Sequence, residues 1–427
     1  MLQRLPSLQH RDFRLLWFGQ FASFVGSQMQ LTAVNWDIFA LLRGQVVTWH
    51  VFGAPVALAA DAFGLGLLGL VRVLPIVAFA LIGGALADAR DRRLLMLWSS
   101  VISMLFAGVL AVLALFGNTE VWPIYLATAG ITAATAFGNP ARQALLPNIV
   151  PREHFTNAVS LNTLGMQIAS IAGPAIAGVL IGVTNVGVIY ALNALSFVCV
   201  IIALLLMTYR DDARHASGNA VSLRAIGEGL RFVFGSPMIA STMLLDFFAT
   251  FFSSARTMLP IIAAEILRTD AAGYGLLSTA SALGSVIAGV VTSLRREIQR
   301  QGAVLIGSVL VFGAATALFG VATNFALSYF FFALTGAADT VSTVVRNIIR
   351  QMHTPDALRG RMVGVNMIFF IGGPQLGELE AGLVAAAFGV PFSVVSGGII
   401  TVLLTLWVAA RFPMLRNYRA VLQPVGV

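Results

Sequence analysis

The sequence predicts an all-α membrane protein of twelve transmembrane helices, arranged as two six-helix bundles related by pseudo-symmetry. Three observations lead there. First, only 10% of the 427 residues are charged and 58% are hydrophobic, with a mean hydropathy of +0.88. A soluble domain carries about 25% charged residues and could not cover its surface with so few. Second, apolar runs recur at membrane-spanning length; twelve spans of roughly 20 residues use about 240 and leave only short connections. Third, the basic residues gather at alternate connections, as the positive-inside rule requires.

Taken in order, the apolar runs place spans near 15–42, 62–87, 93–117, 121–145, 157–183 and 186–209. A second set lies near 238–264, 272–294, 303–322, 325–349, 362–388 and 391–411. The sequence has no lysine, so the net charge of +8 comes from arginine alone. With the N-terminus inside, Arg90, Arg92, Arg93, Arg142, Arg152, Arg295, Arg346, Arg350, Arg359 and Arg361 all fall on inner connections. The outer loops keep Arg43 and Arg268. This bias predicts an even number of spans and both termini in the cytoplasm. It also argues against a nucleic-acid-binding stripe. The arginine-led first apolar segment is too long for a cleavable signal and reads as span 1. Cys199 stands alone inside an apolar run, and no Cys/His metal spacing exists.

Two connections stand out. Between Gly44 and Ala60 the first outer loop is long and carries Trp49 and His50, which suit an interfacial anchor better than a partial lid. From Arg210 to Ser236 runs the longest inner connection. Its second part puts Leu223, Ile226, Leu230 and Val233 on one helical face, as in a helix lying at the membrane surface.

The halves repeat at a constant offset of 204 residues: Arg142 and Arg346, Pro151 and Pro355, Val159 and Val363, Asn162 and Asn366, Gly173 and Gly377, Gly178 and Gly382. Six identities in one register, with matching hydropathy, divide the chain into a bundle over 1–209, a linker over 210–236 and a second bundle over 237–427. Six spans per half give parallel repeats about an axis normal to the membrane, the design of transporters that rock around a midplane site.

Between spans 2 and 3 the chain reads Gly83-Gly-Ala-Leu-Ala-Asp88-Ala-Arg90-Asp91-Arg92-Arg93. In Gly84, Leu86, Ala87, Asp88, Arg92 and Arg93 it resembles the signature of the major facilitator superfamily; Ala89 and Asp91 depart from it. The resemblance implies a cytoplasmic gate in which Asp88 pairs across the half interface near the start of span 11. Arg142, Arg359 and Arg361 join Gly84, Asp88, Arg92 and Arg93 as gate candidates. Pro140-Ala-Arg142-Gln-Ala-Leu-Leu-Pro147 and Gly377-Glu378-Leu-Glu380-Ala-Gly382 resemble the branch of that superfamily holding macrolide-efflux and enterobactin-export proteins, the transmembrane secretion effectors. In span 5, Gly173, Pro174 and Gly178 resemble the superfamily's antiporter motif, with Ser170 and Ala177 in place of two glycines. Helix packing alone is the other reading of that motif.

Ionisable groups inside spans are costly and mark function or structural pairs. Asp246, Asp339 and Glu378 are the candidate proton carriers, since coupling needs a carboxylate that is alternately sealed from water and exposed. Gln28, Arg72, Arg256 and Glu380 are candidates to line a cavity. Glu378 and Glu380 lie about 200° apart on one helix, so at most one faces a cavity squarely. A structural ion pair of Arg72 or Arg256 with a carboxylate remains an alternative. Phe21 and Phe24 could add apolar contact in span 1.

These features predict a secondary active transporter in a bacterial inner membrane. The expected activity is proton-coupled export of an amphipathic small molecule, such as a drug or siderophore, by alternating access. Lipid or lysophospholipid movement is the alternative. The lipid bilayer, protons and a small amphipathic substrate are the expected partners, with no nucleic acid, no metal and no cofactor. The family expectation is a monomer. The five histidines sit at loops or span ends and form no intramembrane catalytic set, and there is no lysine to build a P-loop. An enzyme is therefore not expected.

Overall fold

The computed structural model describes residues 5–51, 54–210, 223–295, 298–355 and 358–419. Its described residues hold twelve long helical segments. In the first half these are α1 (Arg11–Leu42), α2 (Ala60–Ala89), α3 (Arg92–Leu115), α4 (Trp122–Ile149), α5 (Arg152–Val183) and α6 (Val186–Leu206). After a shorter helix, α7 (Leu223–Gly235), come α8 (Pro237–Phe252), α9 (Ala271–Leu294), α10 (Gln301–Val321), α11 (Phe325–Met352), α12 (Arg359–Phe388) and α13 (Val390–Arg411). Each span read from the sequence therefore has its helix, the seventh in broken form. Nine candidate spans are long and apolar enough to cross a membrane among the described residues. Two fully described long helices outside that set are α1 and α4, which carry Gln28, Gln30, Asn35 and Arg142. Their polarity is a first sign of which helices do more than face lipid.

Local chemistry sets the boundaries. Asn185 caps α6 by accepting from the Val188 amide at 3.3 Å. Asn324 caps α11, accepting from the amides of Ala326 at 2.9 Å and Leu327 at 3.3 Å. Each side-chain oxygen satisfies an amide that the first helical turn leaves without a partner. Gly389 joins α12 to α13 at φ 91°, a left-handed conformation that favours glycine.

One expectation is corrected. The seventh span is not one helix: α8 ends at Phe252, a 3₁₀ turn covers Ala255–Met258, and a π-helical stretch covers Ile262–Ile266. Ser253 and Ser254 at the break compete for backbone hydrogen bonds, and Pro260 lacks an amide to donate. Ser253 Oγ lies 2.8 Å from Thr401 Oγ1 of α13, which satisfies it inside the protein. Arg256 consequently sits in the 3₁₀ turn, exposed, and not on the helix of Asp246. The first long connection is a β-hairpin of β1 (Val46–Val51) and β2 (Ala54–Ala59), pairing Val46 with Ala59 through Val51 with Ala54. Trp49 and His50 lie on β1 opposite Val56 and Pro55.

The chain packs into two compact units. One comprises Met1–Arg43, Leu70–Val221 and Ala263–Thr279, and the other Gly44–Gly69, Ser222–Ile262 and Ala280–Val427. In the first, Phe13, Leu16, Met96, Leu145, Leu161 and Leu204 share a core cluster. In the second, Met238, Leu245, Leu305, Val345, Ile349 and Val408 do so. The amphipathic α7 buries Val233 with Ile239, Met243, Met362 and Val365. Large apolar residues such as Leu105, Val109, Leu195 and Leu205 stay exposed, as lipid-facing residues must.

Repeated glycines allow close backbone approaches within each unit. In the first, a Cβ on Gly178 of α5 would stand 2.6 Å from Cα of Gly275 in α9. In the second, a Cβ on Gly66 of α2 would stand 2.6 Å from Cα of Gly382 in α12, the repeat partner of Gly178. Nothing lies within 4 Å of a Cβ on Gly182, one turn beyond Gly178. We expect Gly178→Val to cost about 1–3 kcal/mol through overpacking and to lower the thermal unfolding midpoint in detergent. Gly182→Val should leave that midpoint unchanged.

Candidate functional site

The densest charge inside the helices lies in the second unit. On α11, Asp339, Thr343, Arg346 and Arg350 recur at spacings of four, three and four, so they form one polar stripe down the helix. Opposite stand Thr242 and Asp246, one turn apart on α8. Arg346 Nη1 contacts Asp246 Oδ1 at 2.8 Å, and Arg350 Nη2 reaches Asp246 Oδ2 at 3.4 Å. Arg346 Nη2 donates to Thr343 Oγ1 at 2.7 Å and lies 3.6 Å from Asp339 Oδ1. Arg350 also donates to Thr242 Oγ1 and to the Thr242 carbonyl, each at 3.1 Å, and to Asn366 Oδ1 on α12.

Two carboxylates thus face two guanidinium groups, and the formal charges balance. Removing such groups from water is tolerable only when each is compensated. The two acids differ sharply in environment. The Asp246 side chain is 4% exposed and held between both arginines, whereas that of Asp339 is 48% exposed and touches Arg346 at one edge. Asp246 is therefore the anchor of the cluster, and Asp339 its accessible member.

The sequence pointed to both acids but not to their partners. Arg346 and Arg350 read as inner-connection arginines; they lie within α11, with side chains 2% and 3% exposed. The readable signal was their helical spacing from Asp339. Arg346 and Arg350 are the residues paired with Asp246. Glu378 is buried in α12 beside Gly69 of α2, whose added Cβ would stand 2.9 Å from Glu378 Cβ. Glu380 is half-buried on another side of α12.

The first unit is polar in a different way. A cavity of about 310 Å³ is lined by Phe24, Ser27 and Gln28 of α1 and by Thr163, Gln167 and Ser170 of α5. Gln28 Oε1 is buried there without a hydrogen-bond partner. Arg72 borders a second cavity of about 130 Å³ with Gln30, Thr128 and Asn193, where Asn193 Nδ2 donates to Gln30 Oε1 at 2.5 Å. Arg142 borders a third of about 220 Å³, with its guanidinium carbon 5.0 Å from the Phe24 ring centroid. Asp37, in the outer part of α1, accepts a hydrogen bond from the Tyr190 hydroxyl at 2.8 Å.

The motif residues are placed as follows. Arg93 donates to the carbonyls of Leu205 at 3.1 Å and Tyr209 at 3.4 Å, a cation at the C-terminus of α6. Arg92 donates to the Ala144 carbonyl at 3.4 Å. Asp91, one of the departures from the family signature, caps α3 by accepting from the Leu94 amide at 3.2 Å. The surroundings of Gly84 and the side chains of Asp88, Arg359 and Arg361 lie outside the described residues. Gly173 presses against α1, where an added Cβ would stand 2.5 Å from Gln28 Cβ and 3.1 Å from the Met29 amide nitrogen. Pro174 lies inside α5. Among the described residues, no group of three or more His, Cys, Asp or Glu could hold a metal ion.

A model of the transmembrane secretion effector family matches residues 3–423. The chain belongs to that family. Among curated relatives of this secretion effector is an enterobactin exporter, EntS, of Shigella boydii, 28% identical over 374 residues, 87% of this chain and 85% of the relative. EntS of Escherichia coli is 27% identical over the same share of each chain. Solved structures share its fold. A bacterial homologue of the human lysosomal transporter Spinster, inward-facing and unoccupied, superposes with TM-score 0.72 at 12% identity, covering 96% of this chain and 99% of that one. A point variant of the nucleoside transporter NupG gives 0.71 at 13% identity over 94% and 100%. The secretion effector is a multi-pass membrane transporter of small molecules with the major facilitator fold, and not an enzyme.

The cluster on α8 and α11 makes a quantitative expectation. Asp246→Asn leaves two buried guanidinium groups short of one charge and should cost about 3–5 kcal/mol, read as a large fall in the unfolding midpoint in detergent. Adding Arg346→Gln to it should recover part of that loss, because the surplus charge goes with the arginine. A double variant as unstable as the sum of the two single ones would contradict the pairing.

Proposed function

We propose that this secretion effector is a proton-coupled exporter of amphipathic small molecules, working by alternating access of its two repeated halves. The observation that carries the coupling is Asp339: a carboxylate inside a span, about half exposed, at the edge of a buried ion cluster. A proton arriving there removes one of the two negative charges facing Arg346. The guanidinium then turns wholly to Asp246, and the contacts between α8 and α11 change. A local protonation is thereby converted into a change of helix packing, which is what coupling requires. Asp246, pinned by two arginines, serves as the fixed counter-charge, and Glu378 is set against α2.

The enterobactin-exporting relatives support the outward direction and an amphipathic cargo. The broken seventh span supports a site within the membrane, since discontinuous helices recur where transporters bind substrate. Gly173, Pro174 and Gly178 supply close packing and a proline inside α5, as the antiporter motif implies. Gly84, Asp88, Arg92, Arg93, Arg359 and Arg361 would close the cytoplasmic side. The arginine distribution supports an inner-membrane protein with both termini in the cytoplasm, and it would act as a monomer.

The test is transport by protein reconstituted in liposomes with a pH-sensitive dye trapped inside. Under an imposed proton gradient, macrolides, cationic dyes and catecholate siderophores are added in turn. At least one should drive proton movement, and Asp339→Asn should abolish it while leaving the protein folded. No proton movement with any compound, together with lipid redistribution, would overturn the proposal in favour of a lipid transporter.

A further inference from the structure

The internal repeat places two arginines at matched positions, Arg142 on α4 and Arg346 on α11, and gives them opposite surroundings. Seven residues before Arg346 stands Asp339; seven before Arg142, at the same offset of 204, stands Thr135. Arg346 meets two carboxylates. Arg142 meets none among the described residues: its Nε and Nη1 are buried without a hydrogen-bond partner, and its recorded contact is the face of Phe24.

The space around Arg142 is built for a guest. The cavity of about 220 Å³ beside it is lined by Ser23, Phe24, Ser103, Thr135 and Asn139, together with other neutral residues, and no acid is among them. Ser103 Oγ, fully buried on the same wall, also lacks a partner. A smaller cavity on the other side of Arg142 brings Trp17, Gln20 and Asn162 to it, again without an acid. Two groups of unsatisfied donors therefore converge on one space. A guanidinium removed from water without a counter-anion is unfavourable, and its fork matches the two oxygens of a carboxylate. Phe24 adds an aromatic wall, and the volume is comparable to cavities known to hold one benzene ring, about 150 Å³.

We propose that Arg142 is a substrate-binding residue that takes the carboxylate of an aromatic carboxylic acid group, with Ser103 donating beside it and Phe24 packing on the ring. The second half carries its counter-charge in the chain as Asp339 and Asp246; the first half leaves that place to cargo. This deepens the export reading by naming a chemical class, and it rests on that reading for the word substrate.

The test is binding, which separates it from transport. Full-length protein in detergent is dialysed to equilibrium against radiolabelled salicylate, and salicylamide, its uncharged counterpart, competes. The wild type should prefer salicylate by roughly tenfold, the scale of one charge-assisted pair. Arg142→Gln should level the two ligands, and Arg142→Lys should keep part of the preference. Thr135→Asp installs in the first half the acid that the second half has. It should occupy Arg142 from within and remove the preference, whereas Thr135→Asn should retain it. A wild type that binds both ligands equally, or an Arg142→Gln protein that still prefers salicylate, overturns the assignment. Charge preference without proton-driven transport would defeat the coupling reading alone, and transport without charge preference would defeat this site alone.

Discussion

The 2.8 Å contact between Arg346 and Asp246 is the interaction on which the interior of the second unit depends. Neither charge could lie so deep in the helices without the other. Once they pair, Arg350, Thr242 and Asn366 are drawn into the same network, and α8, α11 and α12 become registered against one another. Apolar packing could hold these helices at many registers in a bilayer, where lipid is as apolar as leucine. Hydrogen-bonded charges select one. The same cluster ends at a half-exposed acid, Asp339.

The repeat supplies a second layer of meaning. Gly178 and Gly382 do the same work in their respective units, allowing one helix backbone to lie against another. Arg142 and Arg346 do not. A duplicated scaffold keeps its small-residue contacts because geometry demands them in both copies, while its polar positions are free to diverge. One copy compensated its arginine with acids. In the other, the positions around the arginine hold serine, threonine, asparagine and phenylalanine. The proposed division into a half that handles protons and a half that handles cargo rests on that difference.

The helices were legible because hydropathy over 20 residues is a strong signal in a chain with 10% charge. Every span was found, α5 beginning five residues before its expected start at 157. Two features escaped. Val46-Val-Thr-Trp-His-Val51 carries the β-branched and aromatic composition of a strand, but a connection between spans reads as loop unless that composition is weighed. The break at Ser253 hid inside an unbroken apolar run, where hydropathy cannot see a change in hydrogen bonding. At the site, Asp246 and Asp339 were visible as charges out of place. Their partners were not, because an arginine near a helix end satisfies the positive-inside pattern whether it faces water or a buried acid. Only helical spacing separates those cases: Arg346 is seven residues from Asp339, two turns along one face.

The central claim is that Asp339 exchanges a proton when cargo binds while Asp246 stays locked between its arginines. It is tested most directly by counting protons. Purified protein in weakly buffered detergent solution is mixed with a transported compound, and the pH change is recorded for the wild type, Asp339→Asn and Glu380→Gln. The account predicts proton release on binding by the wild type and by Glu380→Gln, and none by Asp339→Asn. Release that persists in Asp339→Asn would contradict it.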